Sequence, residues 1–188
     1  MTHVILFDHA QGLTDGVEEF AQRLRDAGHD VVVPDLYEGR TFDTLDAGVA
    51  NAEAIGFETI IERGELAADA LPENTVYAGF SLGTLPAQKL AQSRPGALGA
   101  LLFHGGIPAA TFGSDWPKTA PLQMHVAEGD EWVELDEVEQ LAGDANHAEL
   151  SIYPGSAHLV ADSSLGEYDE DLAELIIERS IRFLDRLA

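Results

Sequence analysis

The chain has 188 residues, 45% hydrophobic and 23% charged, enough to bury a full core as one globular domain over residues 1–188. Acidic residues outnumber basic ones by 34 to 10, and the net charge of −24 argues against nucleic acid and anionic membrane surfaces as partners. There is no cysteine, which excludes disulfides, thiolate metal sites and a thiol nucleophile.

Val4-Ile5-Leu6-Phe7 reads as a buried strand. It is too short for the apolar core of a signal peptide and lacks a basic flank, and no apolar run approaches a membrane span. A cytoplasmic protein with a solvated acidic surface is therefore expected. Thr14 or Asp15 caps a helix with Val17, Phe20, Ala21 and Leu24 on one face, and Gly28 stops it. Val31-Val32-Val33 is a second strand, closed by Pro34. Residues 35–50 read as loop with one short helix, and 51–70 as a longer helix. Further strands are expected at Thr75–Ala78, Ala100–Phe103, Leu122–Ala127 and Leu150–Tyr153. Helices are expected at Leu85–Ser93, 134–142 and 169–187. This alternation predicts an α/β fold: a six-stranded parallel sheet with helices on both faces and no separate lid.

Right-handed crossovers place every strand's C-terminal end on one edge of such a sheet, where ligands bind. Asp8, His9, Asp35, Ser81, His104, Asp130 and His158 follow strand ends and belong there. His3, His29 and His147 precede strands and are expected at the surface of the opposite edge, while His125 lies within a strand.

Gly79-Phe80-Ser81-Leu82-Gly83 stands between a strand and a helix. In that context Gly-x-Ser-x-Gly holds a serine on a tight turn at a helix N-terminus, with glycines where the backbones approach too closely for a Cβ. A serine nucleophile needs a base and an acid that orients the base, in the chain order Ser, acid, His. Ser81, Asp130 and His158 supply that order. Asp130 is chosen over Glu128, Glu131 and Asp162 because Gly129 turns the chain before it and Trp132-Val133 anchors the loop behind it. Backbone N–H groups of Leu82 and Ala10 are the expected oxyanion donors. Gly105-Gly106 lies in the wrong loop for that role. His9, His104 and His158 lack metal-ligand spacing, so neither a metal nor another cofactor is expected.

Phe7-Asp8-His9-Ala10-Gln11-Gly12-Leu13, Val33-Pro34-Asp35-Leu36-Tyr37, the serine turn, Gly129-Asp130 and Tyr153-Pro154-Gly155-Ser156-Ala157-His158 resemble the dienelactone hydrolase family of α/β-hydrolases. The resemblance covers nearly the whole chain. It implies Ser81, Asp130 and His158 as triad, and His9, Gln11, Tyr37, Arg40 and His104 are the candidate substrate-pocket residues. Three positions depart from the founding pattern. Ser81 stands where a cysteine is usual, His9 where a glutamate helps activate it, and Asp162 where an arginine holds a substrate carboxylate. The resemblance thus implies a hydrolase of small esters or lactones, monomeric or homodimeric, that prefers neutral or cationic substrates. A thioesterase or general carboxylesterase on the same triad, and a non-catalytic binding protein of this fold, are the alternatives.

Overall fold

Runs of branched and aromatic residues build the strands. In the computed structural model, which describes residues 1–188, β1 (His3–Phe7), β3 (Thr75–Phe80), β4 (Gly99–Phe103) and β5 (Leu122–Ala127) are buried on both faces. They carry the near-continuous apolar sequences that a doubly covered parallel sheet requires. β2 (Asp30–Val32) and β6 (Ala148–Tyr153) form the edges and are correspondingly more polar. All neighbours are parallel, in the order β2-β1-β3-β4-β5-β6.

Side chains alternate between two cores, as the strand period of two dictates. Val4, Leu6, Val76, Ala78, Leu101 and Phe103 face α1 (Asp15–Asp26) and α6 (Glu170–Asp185). Ile5, Phe7, Tyr77, Leu102 and Met124 face α2 (Leu45–Ile55), α3 (Phe57–Ala68), α4 (Thr84–Ser93) and α5 (Leu135–Asp144). Thr14 caps α1 by accepting the Val17 N–H at 3.3 Å, and Asp169 caps α6 through Leu172 at 3.0 Å. The chain goes outward from β1 to β2, then returns past β1 to form β3. The strand order therefore reverses between β1 and β3, and at the C-terminal ends of these two strands an open α/β sheet leaves its crevice.

The segment 51–70 is not one helix. Gly56 at φ 93° ends α2 and opens α3, and Thr44 caps α2 by accepting the Ala47 N–H at 3.3 Å. The apolar period runs through this break, so periodicity alone missed it. His29 is also not a surface residue. It is buried near the C-terminus of α6, 3.6 Å from Asp185, and burial lowers its pKa. His3 is half-buried, His147 is exposed, and His125 is buried in β5 between Tyr153 and Gln123. No helix is long and apolar enough to cross a membrane.

Candidate active site

Ser81 follows the last residue of β3 at φ 49°, a left-handed conformation that costs a non-glycine residue about 1 kcal/mol or more. The turn is a single 3-10 turn, Ser81–Gly83, leading directly into α4. A Cβ on Gly79 would stand 2.1 Å from the Gly83 carbonyl oxygen, and one on Gly83 2.4 Å from that of Asp8. Both flanking positions therefore require glycine. Thr84 closes the turn by donating its hydroxyl to the Ser81 carbonyl at 2.6 Å.

His158 lies in the loop after β6 and is buried, with Nε2 2.7 Å from Ser81 Oγ and Nδ1 2.6 Å from Asp130 Oδ2. A carboxylate can only accept, so Nδ1 carries the proton and Nε2 presents its lone pair to the serine hydroxyl. Asp130 is buried, and its other oxygen accepts the Trp132 N–H at 3.0 Å. That backbone bond fixes the loop. The indole does not anchor it: Trp132 is 49% exposed, while Val133 packs against the core. Glu167, which the sequence reading missed, accepts the His158 N–H at 2.6 Å and so restrains the histidine's backbone. Its signal lies nine residues away in sequence, beyond any local motif.

The two departures at His9 and Asp162 prove to be one feature. Both side chains are buried, and His9 Nε2 donates to Asp162 Oδ2 at 2.7 Å. His9 Nδ1 accepts the Gln11 N–H at 3.2 Å. The Thr14 hydroxyl also donates to Asp162 Oδ2, and the Ser164 N–H and hydroxyl reach Oδ1 at 2.9 and 2.6 Å. Burial pushes the Asp162 carboxyl upward, but the bonds from His9, Ser164 and Thr14 outweigh it and hold the carboxyl below its ordinary range. Asp162 is thus closed off inside the protein and does not face a substrate as the sequence comparison implied. Ala10, Leu45 and Leu159 form a small apolar cluster with half-buried Leu82 packed on it. It joins the loop after β1, the serine turn and the histidine loop.

Asp8 is buried, with no hydrogen-bond partner for either carboxyl oxygen. Burial, reinforced by the Asp35 charge, pushes its pKa up to about 8. The backbone N–H groups of Asp8 and Leu36 pull the other way without closing a hydrogen bond.

A cavity of about 210 Å³ opens beside Ser81, walled by Leu82, Thr84, His104, Gly105, Ile107 and Trp132, with Glu134 and Glu137 also lining it. Of the expected substrate residues only His104 lines it. His104 stacks on Phe80 with centroids 5.9 Å apart and lies 6.0 Å from the His158 ring. Burial, with His158 beside it, lowers its pKa well below the usual histidine value. His9 is taken up by Asp162. Gln11 donates to the Phe42 carbonyl at 3.0 Å, tying down the loop that holds Arg40. Tyr37 is buried in the core, with its pKa pushed up to about 12 by burial. Arg40 lies over the Phe42 ring at 5.3 Å and does not reach the cavity. Gly105-Gly106, set aside from the sequence, does form part of the wall. A Cβ on Gly105 would stand 3.1 Å from Thr84 Oγ1.

Comparison with known proteins agrees with this architecture. A pimeloyl-[acyl-carrier protein] methyl ester esterase of Cronobacter sakazakii is 34% identical over 74 residues, 39% of this chain and 29% of that protein. The match thus spans less than a third of its length. The crystal structure of a dienelactone hydrolase from Anabaena variabilis superposes with a TM-score of 0.69 at 16% identity, covering 98% of this chain and 86% of that one. A dienelactone hydrolase-like promiscuous phosphotriesterase from metagenomic libraries superposes with a TM-score of 0.71 at 16% identity, covering 100% of this chain and 87% of the other. At such identities the likeness speaks for the fold. The model of the dienelactone hydrolase family matches residues 1–188, and the chain belongs to that family.

Proposed function

We propose that this protein is a carboxylic ester hydrolase that cleaves small esters or lactones through an acyl-Ser81 intermediate. The observation that carries this reading is the chain of hydrogen bonds from buried Asp130 through buried His158 to half-buried Ser81, at 2.6 and 2.7 Å. His158 takes the proton of Ser81 as Oγ attacks the ester carbonyl, and Asp130 holds the imidazole in the required tautomer and stabilises the imidazolium. The carbonyl oxygen becomes an oxyanion, for which the backbone N–H groups of Leu82, next after Ser81, and Ala10, in the loop after β1, are the assigned donors. Collapse breaks the bond to the leaving oxygen, which departs with the proton from His158. A water, deprotonated by the same imidazole, then releases the acid and restores Ser81. The cavity beside Ser81 is smaller than the range of about 300–1,000 Å³ usual for drug-sized ligands, which fits a small acyl group.

Ser81→Ala is expected to lower hydrolysis of a neutral aryl ester by about 10⁴-fold or more without unfolding the protein. Steady-state rates, circular dichroism and labelling by a neutral fluorophosphonate check this. A folded variant that keeps most of its activity would overturn the assignment.

A further inference from the structure

A second hollow shares Trp132 as a wall with the Ser81 cavity. It measures about 430 Å³, and Glu131, Trp132, Ser156, His158 and Glu167 are among its lining residues, with no lysine or arginine. Its position relative to the proposed chemistry assigns it a role. The acyl group must lie against Ser81 and the oxyanion donors, whereas the leaving oxygen must reach His158 Nε2 to collect its proton. The alcohol portion therefore departs past His158, and His158 and Trp132 both line this hollow.

The lining carries a particular chemical preference. Trp132 stands 49% exposed, with its ring centroid 6.3 Å from that of His158 and tilted 38° to it. An indole face is electron-rich and attracts cations, most strongly those that are weakly hydrated. Glu167 is held in place on the same wall, one oxygen accepting the His158 and Leu159 N–H groups at 2.6 and 3.4 Å. Neither Glu131 nor Glu167 has a basic partner among the ion pairs of the protein. A neutral aromatic alcohol would use the indole and leave both carboxylates unused, and an anion would be repelled by them. A protonated or quaternary amine uses all three.

We propose that this hollow is the leaving-group subsite and that it takes the alcohol portion of an ester bearing an ammonium group. The proposal rests on the hydrolase reading above. The net charge of −24 acts in the same direction by raising the encounter rate with cations at low salt.

The test compares kcat/KM for acetylcholine with that for 3,3-dimethylbutyl acetate, which has the same shape with carbon in place of the charged nitrogen. Both are measured at about 0.15 M salt, where the Debye length is about 8 Å, beside p-nitrophenyl acetate as neutral reference. The cationic ester is expected to exceed its carbon isostere by about tenfold, a cation–π contact combined with nearby carboxylates. Trp132→Leu and Glu131→Gln, both at exposed positions, should each reduce that ratio several-fold, and together bring it close to one. A wild-type ratio of one or below, with the aryl ester still cleaved in a Ser81-dependent way, would sink the subsite and leave the hydrolase standing. A preference undiminished in the double variant would also overturn it, since the indole and Glu131 would then take no part. Failure of all three esters together with failure of a fluorophosphonate to label Ser81 would remove the hydrolase reading and the subsite with it.

Discussion

Asp8 shows how far a single side chain can depart from its behaviour in water. Its pKa rises from 3.8 to about 8 because burial penalises the carboxylate and Asp35 adds like charge. The folded chain therefore keeps a proton between those two values that the unfolded chain has already released. By linkage, stability falls as pH rises through that window, by about 1.4 kcal/mol per pH unit for one proton. Asparagine has the shape of the protonated acid and no charge to desolvate. Asp8→Asn should melt within a few degrees of the parent at pH 5 and clearly higher at pH 8.5. A shift of about 5 °C or more corresponds to roughly 2 kcal/mol in a chain of this size. Thermal melts at the two pH values check it, and an unchanged pH dependence would show that Asp8 ionises freely in the folded protein.

Loops from separate elements are held together by Asp162. It ties the loop after β1, through His9 and Thr14, to the segment that follows His158, through Ser164. The fit is tight from several sides. A Cβ on Gly16, at the start of α1, would stand 1.8 Å from Asp162 Oδ1, and one on Gly48 in α2 would stand 2.1 Å from the Ala10 carbonyl oxygen. Both carboxylate oxygens of Asp162 accept two donors, so an amide in its place would turn N–H groups of its own toward hydrogen-bond donors. Asp162→Asn is expected to cost about 2–3 kcal/mol of stability. Because the loop carries Ala10, kcat should fall by about tenfold or more with KM changing less. A lower melting temperature with unchanged kcat would reduce the lock to a purely structural one.

Charge is distributed unevenly over the whole molecule. Arg23, Arg25 and Arg182 pair with Glu174, Glu18 and Glu178 on the face covered by α1 and α6. The segment from Glu128 to Glu149 carries nine acidic residues and no basic one. Asp136, Glu137, Glu139 and Asp144 of α5 are exposed, and Arg186 on Glu149 is the one arginine ion pair that reaches the segment. Self-repulsion of this kind opposes folding and is screened by salt. The melting temperature should rise clearly from about 0.01 M salt, with a Debye length near 30 Å, to about 1 M, where it is near 3 Å. A flat dependence would mean that the carboxylates stand far enough apart to be harmless.

The order of strands and helices, the parallel sheet and the serine turn were all legible in the sequence, because each depends on local patterns. Buried strands write themselves as continuous apolar runs, and the turn needs glycine on both sides of Ser81. Chain order also brought Ser81, Asp130 and His158 to one edge of the sheet, since crossover handedness leaves no choice of side. What the sequence left open depends on contacts between residues far apart in the chain. The break at Gly56 hid behind an uninterrupted apolar period. His29 read as surface, yet it is buried beside Asp185 at the end of α6, more than 100 residues away. His9 and Asp162, 153 positions apart, looked like two separate departures until the fold paired them. That pairing removed both from the substrate pocket, and Arg40 left it for the Phe42 ring. Trp132 moved the opposite way, from an expected anchor to an exposed wall of the site. Local pattern determines which elements form and which edge they serve, but whether a polar side chain on that edge meets a substrate or another side chain is a question of distance in space, which only the tertiary structure decides.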